Sequence, residues 1–343
     1  MGKEPDTEEV ARLALTLAVL ALGLPAAAVA APHTAPGGKV LWGGQGGYKP
    51  GNISDFARHS SKAPAVYNYF IPWKGTDPAL HWLSFRLSDA SAHGARPMLS
   101  VGVEGSGLTP GAIARGEGDT FLVRLNALLA EHGQPVYVRP LSEMNNGNNP
   151  YSAFDLSGRS RGPAYSTGQF KRAWRRLALI LRGGERSQID AQLRRLGLPP
   201  VRSAADALPR PEVALMWVPL SFGNPEIAKN HPRHWWPGGA FVDWVGTTWY
   251  SPFKASSAMH AMYSNPLWSR KPFVFAEWGV WGRDDPGFVS QFFGFLRAHP
   301  RVRMAVYYQS ALLSPEFSLS SHPATSRALR RMVRWPRLAG AAG

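Results

Sequence analysis

No cysteine occurs among the 343 residues. That excludes disulfide staples and all thiolate chemistry, from cysteine nucleophiles to sulfur-ligated zinc. A chain of this length buries enough core to fold without staples, so the absence is compatible with export. Acidic side chains are also scarce: 23 Asp and Glu face 38 Lys and Arg, a formal charge of +15 that draws the protein towards acidic polymers. Yet the arginines, among them Arg172, Arg175, Arg176, Arg182, Arg186, Arg194, Arg195, Arg330, Arg331 and Arg334, are scattered. No tight Lys/Arg run interleaved with aromatics marks a nucleic-acid groove, so solvated helix faces account for them and no nucleic-acid partner is expected.

Other signals are missing too. There is no internal repeat, and no Pro/Thr/Ser-rich linker announces a second domain. The glycine-rich stretch 42–47 follows a strand but lacks the G-x-G-x-x-G spacing and the helix of a phosphate site, and reads as a tight turn flooring a cleft. Ser142 has no G-x-S-x-G elbow. His231 and His234 are separated by Pro232 with no carboxylate at ligand spacing, so no metal is expected. The apolar run 13–24 is too short to span a membrane comfortably. Followed by a small-residue A-x-A pattern near Ala30, it reads as an export signal over 1–30. The four acidic against two basic residues before it are unusual for a signal and leave an uncleaved anchor as the alternative. A secreted protein without integral membrane association, acting as a monomer, is the expectation.

What the chain has in plenty is apolar and aromatic surface: 44% hydrophobic residues, with 13 Trp and 10 Tyr. These serve a sizeable core, and aromatic faces also stack on sugar rings. Strand-like segments recur at 40–45, 65–73, 97–104, 136–143, 213–220, 242–250, 273–278 and 302–309. They are continuous apolar runs, as expected of strands buried on both faces. Helical patterns fall between them at 119–132 with Asp119 as N-cap, at 166–182 and at 287–299, with a short helix around 188–196 inside a surface excursion at 183–211. Eight alternating units over 39–335 predict an α/β fold, a single (β/α)8 TIM barrel.

Two strand ends carry chemistry. Arg139-Pro140-Leu141-Ser142-Glu143-Met144-Asn145 and Phe275-Ala276-Glu277-Trp278-Gly279 each place a glutamate where an apolar run gives way to a loop. A carboxylate there is costly to desolvate without partners or a role. In a barrel, Glu143 would close strand four and Glu277 strand seven, converging across the mouth as acid-catalysed glycoside cleavage requires. The bland alternative is a buried Arg139–Glu143 ion pair. Glu104, closing strand three, is a third carboxylate of the same mouth.

These motifs resemble glycoside hydrolase family 26, the β-mannanase-type family of the retaining clan of (β/α)8 enzymes. The family pattern Arg-Pro-x-His-Glu-Met-Asn-Gly corresponds to residues 139–146 here. The run Gly133-Gln134-Pro135-Val136 resembles the approach to strand four, residues 170–175 the fourth helix, and Trp235 to Gly246 the entry to strand six. The similarity covers about residues 40–320. It implies Glu143 as general acid/base and Glu277 as nucleophile, with Arg139 favouring the ionised form of Glu277. Asn145 would bond the sugar or hold the acid/base, and Tyr250 would contact the nucleophile. Trp249, Trp278, Trp281 and Tyr308 are candidates for a stacking floor, with packing in the core the alternative for each and a core-edge position the alternative for Tyr250. It further implies an endo-β-mannanase acting on polysaccharide without a cofactor. Two departures bear on specificity: Ser142 replaces the family histidine, and 146–149 lacks the aromatic of the family's Gly-x-Trp segment. Another β-glycan (xylan, mixed-linkage glucan, a bacterial surface polysaccharide) is the rival substrate, and a non-catalytic glycan-binding barrel the rival class.

Overall fold

Eight parallel strands close on themselves in the computed structural model, which describes residues 33–73, 78–253, 255–310 and 312–340. They are β1 (Val40–Gln45), β2 (Val66–Pro72), β3 (Arg96–Gly102), β4 (Val136–Pro140), β5 (Val213–Trp217), β6 (Trp244–Tyr250), β7 (Phe273–Gly279) and β8 (Val302–Tyr308). Each pairs with the next, and β8 returns to β1 through Leu41↔Met304 to Gln45↔Tyr308. The expected (β/α)8 barrel is the fold. The leader expected at 1–30 lies outside the described residues.

The surrounding helices are α1 (Asn52–Ser60), α2 (Leu83–Ala92), α3 (Asp119–His132), α4 (Thr167–Arg182), α5 (Arg186–Arg195), α6 (Ser256–Ser264), α7 (Pro286–Ala298) and α8 (Pro323–Met332). Local chemistry sets several of their starts. The Ser166 hydroxyl accepts from Gln169 N at 3.3 Å to open α4, and Asp285 accepts from Phe288 N at 2.9 Å to open α7. Between β5 and β6 the chain makes three short 3-10 turns, at Ala228–Asn230, Pro232–Trp235 and Gly239–Phe241, in place of a helix.

Three expectations are corrected. Asp119 is the first residue inside α3 and not its N-cap; its carboxylate is drawn away by Arg176. Arg176 is correspondingly no solvated surface residue but fully buried. It also donates to Pro199 O at 2.7 Å and Pro200 O at 2.8 Å, which staples the 183–211 excursion to the barrel wall. Strand four ends at Pro140, so Glu143 lies in the following turn.

Inside the barrel, Leu41, Val66, Met98, Tyr137, Ala214, Met216, Trp244, Val274, Met304 and Val306 form a cluster separate from the outer, helix-covered core. Space here is tight. A Cβ on Gly246 would fall 2.1 Å from Val274 O, and one on Gly43 2.7 Å from Val306 Cγ2. The filled lower barrel leaves the C-terminal mouth as the place for function.

Candidate active site

Glu277 faces the barrel interior because β7 carries one extra residue. Relative to β6, Phe275 is opposite Thr247 while Glu277 is opposite Thr248, so Ala276 is bulged. The β8 side skips likewise, from Ala305↔Phe275 to Tyr307↔Trp278. A one-residue bulge reverses which side chains point inward. Phe273 and Phe275 belong to the outer core, and strict alternation would have sent Glu277 out with them. Instead it enters the mouth, and Trp278 is turned outward.

Glu143 gets there differently. After β4, Leu141 and Glu143 both adopt left-handed backbone, with φ of 45° and 51°. Such residues cost of order 1–3 kcal/mol each and persist only when the surroundings hold them. The turn is held by Leu141 N donating to Val101 O at 2.8 Å and Glu143 N donating to Val218 O at 2.7 Å. Tyr151 donates its hydroxyl to Ser142 O at 2.5 Å, and Asn149 Nδ2 reaches Ser142 O at 3.2 Å and Glu143 O at 2.9 Å. Tyr151 and Asn149 escaped sequence reasoning. The Asn-rich loop after Glu143 was their signal, since Asn side chains satisfy turn carbonyls.

Both glutamates line one cavity of about 490 Å³ together with Tyr48, Phe70, Arg86, Glu104, Arg139 and Tyr308. Their surroundings differ. Arg139, 1% exposed, pairs with Glu277 Oε1 and not with Glu143, and its Nη2 also donates to Ser142 Oγ at 3.0 Å. Tyr250 donates its hydroxyl to Glu277 Oε2 at 2.5 Å. Burial, then the charges of Glu277 and Glu143, holds the Tyr250 phenol well above its usual range, so it remains a donor.

Glu143 accepts from two neutral donors, Thr248 Oγ1 at 2.8 Å and Asn146 Nδ2 at 3.1 Å. Burial of its carboxyl, and next the like charge of Glu277, pushes its pKa above the ordinary value of 4.5. Arg139 and the two hydrogen bonds oppose that rise without cancelling it. The pair thus has one carboxyl beside a cation and a phenol, and another biased towards keeping its proton.

Not every expected residue reaches the cleft. Asn145 neither faces a sugar site nor touches the Glu143 carboxyl. Its buried amide bonds Phe222 O at 2.7 Å and Leu220 N at 2.8 Å, fastening the loop after β5. Trp278 is fully buried, stacked on Phe292 with ring centres 3.6 Å apart. Trp249 is buried among Phe275, Phe288, Phe292 and Phe295, its Nε1 donating to Phe253 O at 2.9 Å. Trp278 lines neither cavity beside the glutamates, while Trp249, 1% exposed, borders the depression that also holds Trp281. The aromatic lining of the main cavity comes from Tyr48, Phe70, Tyr151 and Tyr308. Trp281, 40% exposed, borders a second depression on the other side of Glu143, with Phe222, Phe253 and Leu220. Glu104 lies two residues beyond the end of β3 yet still lines the main cavity.

Neither a protein-family model nor a curated protein matches the sequence. Solved structures match the fold. GH26A of Muricauda sp. MAR_2010_75 superposes with a TM-score of 0.57 at 17% identity, over 88% of this chain and 91% of that one. The Bacillus subtilis mannanase Man26 gives 0.58 at 17% identity, over 89% and 87%. The β-mannanase BoMan26A of Bacteroides ovatus gives 0.58 at 15% identity, over 88% and 90%. The chain has the fold of glycoside hydrolase family 26. Among the described residues no helix is long and apolar enough to cross a membrane.

Proposed function

We propose that this protein is a retaining glycoside hydrolase that cleaves a β-linked, mannan-type polysaccharide by double displacement. Glu277, paired with Arg139 and Tyr250, attacks the anomeric carbon. Glu143 gives its proton to the glycosidic oxygen, the bond to the departing sugar breaks, and a glycosyl ester forms on Glu277. That ester no longer carries the charge that raised the Glu143 pKa. Glu143 therefore becomes the better base, takes a proton from water, and the water displaces Glu277 with net retention of configuration. No cofactor enters this scheme. The reading has the protein exported and acting on its polysaccharide as a monomer.

The observation that carries the proposal is the contrast between two carboxyls in one cavity, one beside a buried cation and the other with a raised pKa. Proton NMR of a mannan digest tests it, because the anomer formed first reports the mechanism. The β product should precede its mutarotated partner, and Glu277→Ala and Glu143→Gln should each abolish release while remaining folded. An α product formed first, or activity retained in either variant, overturns the scheme.

Another β-glycan is favoured by one observation. Ser142 stands where the family places histidine, and its hydroxyl is engaged by Arg139. The segment 146–149 that follows carries no aromatic side chain, and Tyr151, which fastens the turn, is the aromatic of that loop at the cavity. A panel of mannan, xylan and mixed-linkage glucan with reducing-end detection decides between the substrates.

A further inference from the structure

Arg86 on α2 lines the cavity that holds Glu277. Its guanidinium carbon stands 4.6 Å from the centre of the Tyr48 ring, and among the described residues its one side-chain hydrogen bond is a long 3.5 Å contact to Phe70 O. Among the described residues no carboxylate lies within ion-pair distance of it. Asp89, one turn further along α2, is engaged by His93 and Tyr69 instead. Two other buried arginines have a carboxylate partner: Arg139 has Glu277 and Arg176 has Asp119. A half-buried guanidinium held by a ring face keeps its N–H edges free, and those edges match a carboxylate in two parallel hydrogen bonds.

We propose that Arg86 receives the carboxylate of an acidic sugar, a uronic-acid residue on the glycone side of the bond to be cleaved. This rests on the glycosidase reading and names its substrate class. The side follows from the cavities: the one lined by Arg86 contains Glu277, to which the glycone becomes attached, whereas the depression beyond Glu143 contains Glu143 without Glu277. Tyr48, Phe70 and Tyr308 give the glycone its ring faces. The formal charge of +15 draws a polyanion towards the protein as a whole. Glu104 lines the same cavity and opposes an anion. It is exposed, with its carboxylate curled over Gly102 in space that a Cβ would occupy, so solvent and salt screen it more than they screen Arg86.

The test compares mannotetraose with β-1,4-linked tetramannuronate, which differ only at C6. Calorimetry on the full-length Glu143→Gln protein measures binding without turnover, and the unmutated protein reports cleavage of both. Tetramannuronate should bind more tightly, with the margin shrinking as salt rises. Adding Arg86→Gln should weaken tetramannuronate by about 10- to 100-fold and mannotetraose hardly at all. Arg86→Lys, which keeps the charge, should hold part of the preference and guards against a folding artefact. Equal or tighter binding of the neutral tetramer, binding of neither, or equal losses for both in Arg86→Gln overturns the proposal. Cleavage of mannotetraose by the unmutated protein would in that event leave the hydrolase reading standing, whereas cleavage of neither tetramer and of no glycan in the panel removes that reading as well.

Discussion

Thr248 sits opposite Glu277 on the neighbouring strand and donates its hydroxyl to Glu143 Oε1 at 2.8 Å. One side chain thus ties the carboxyl on the turn after β4 to the strand pair that carries the other. The hydrogen bond favours the ionised form of Glu143 and so moderates a pKa that burial and Glu277 push upward. Removing it has a definite sign.

Thr248→Val should raise the Glu143 pKa further. The alkaline limb of the kcat/KM profile, which reports the essential acid in the free enzyme, should therefore move to higher pH. The rate at the optimum should fall by roughly 10-fold as the carboxyl loses its orientation. Thr248→Ser, which keeps the donor, should restore both. A rate loss without a shifted limb would mean that Thr248 acts only through packing.

Arg139 offers a way to separate stability from chemistry. It is almost wholly buried, and so is its partner Glu277. Arg139→Met strands a buried carboxylate and should cost about 3–5 kcal/mol of unfolding free energy in urea. Combining it with Glu277→Leu removes both charges and should recover most of that stability, while activity stays abolished. If the double variant is no more stable than the single one, the ion pair is not what holds this part of the mouth.

The raised pKa of Glu143 has a consequence for folding as well. Between the unfolded-chain value near 4.5 and the higher folded value, the native protein keeps a proton that the unfolded chain has released. Stability therefore falls as pH rises through that window and remains lower above it. Glu143→Gln removes the effect, and the Thr248 hydroxyl can rotate to accept from the new amide. The variant should melt at a higher temperature than the parent at pH 7, and the difference should vanish below about pH 4.5. An advantage that is constant from pH 4 to pH 8 would contradict the shift.

How much of this was legible in the sequence depends on which interaction sets each feature. Continuous apolar runs located all eight strands, because parallel strands buried on both faces need no alternation. Glu143 and Glu277 stood out because a carboxylate closing an apolar run calls for partners. The bulge at Ala276 was invisible, since it answers to the registers of β6 and β8 and not to its own neighbours in sequence. Arg176 was hidden for a related reason. Its charge pointed to the surface, and only the folded chain brings Asp119 and the carbonyls of Pro199 and Pro200 around it. Asn145 was assigned by motif position to the sugar or to holding the acid/base, whereas Leu220 and Phe222 in the loop after β5 claim its amide.

Two tryptophans three residues apart have different surroundings, Trp278 fully buried and Trp281 40% exposed. Trp278 follows Glu277 directly, and the register that turns the glutamate inward sends the indole onto Phe292. Trp278→Ala should therefore cost about 3–5 kcal/mol through the cavity it leaves, with loss of activity that follows the loss of folded protein. Trp281 is half in solvent, near Phe253 and Phe317, with its Nε1 3.2 Å from Glu316 Oε2. Trp281→Ala should leave the urea midpoint almost unchanged and raise KM for long oligosaccharides several-fold, because a stacked sugar ring on the leaving-group side loses about 1 kcal/mol of aromatic contact. Short substrates that do not reach the second depression should be indifferent to the change. If Trp281→Ala lowers stability as much as Trp278→Ala does, or if KM rises equally for a disaccharide, the second depression does not hold the departing chain.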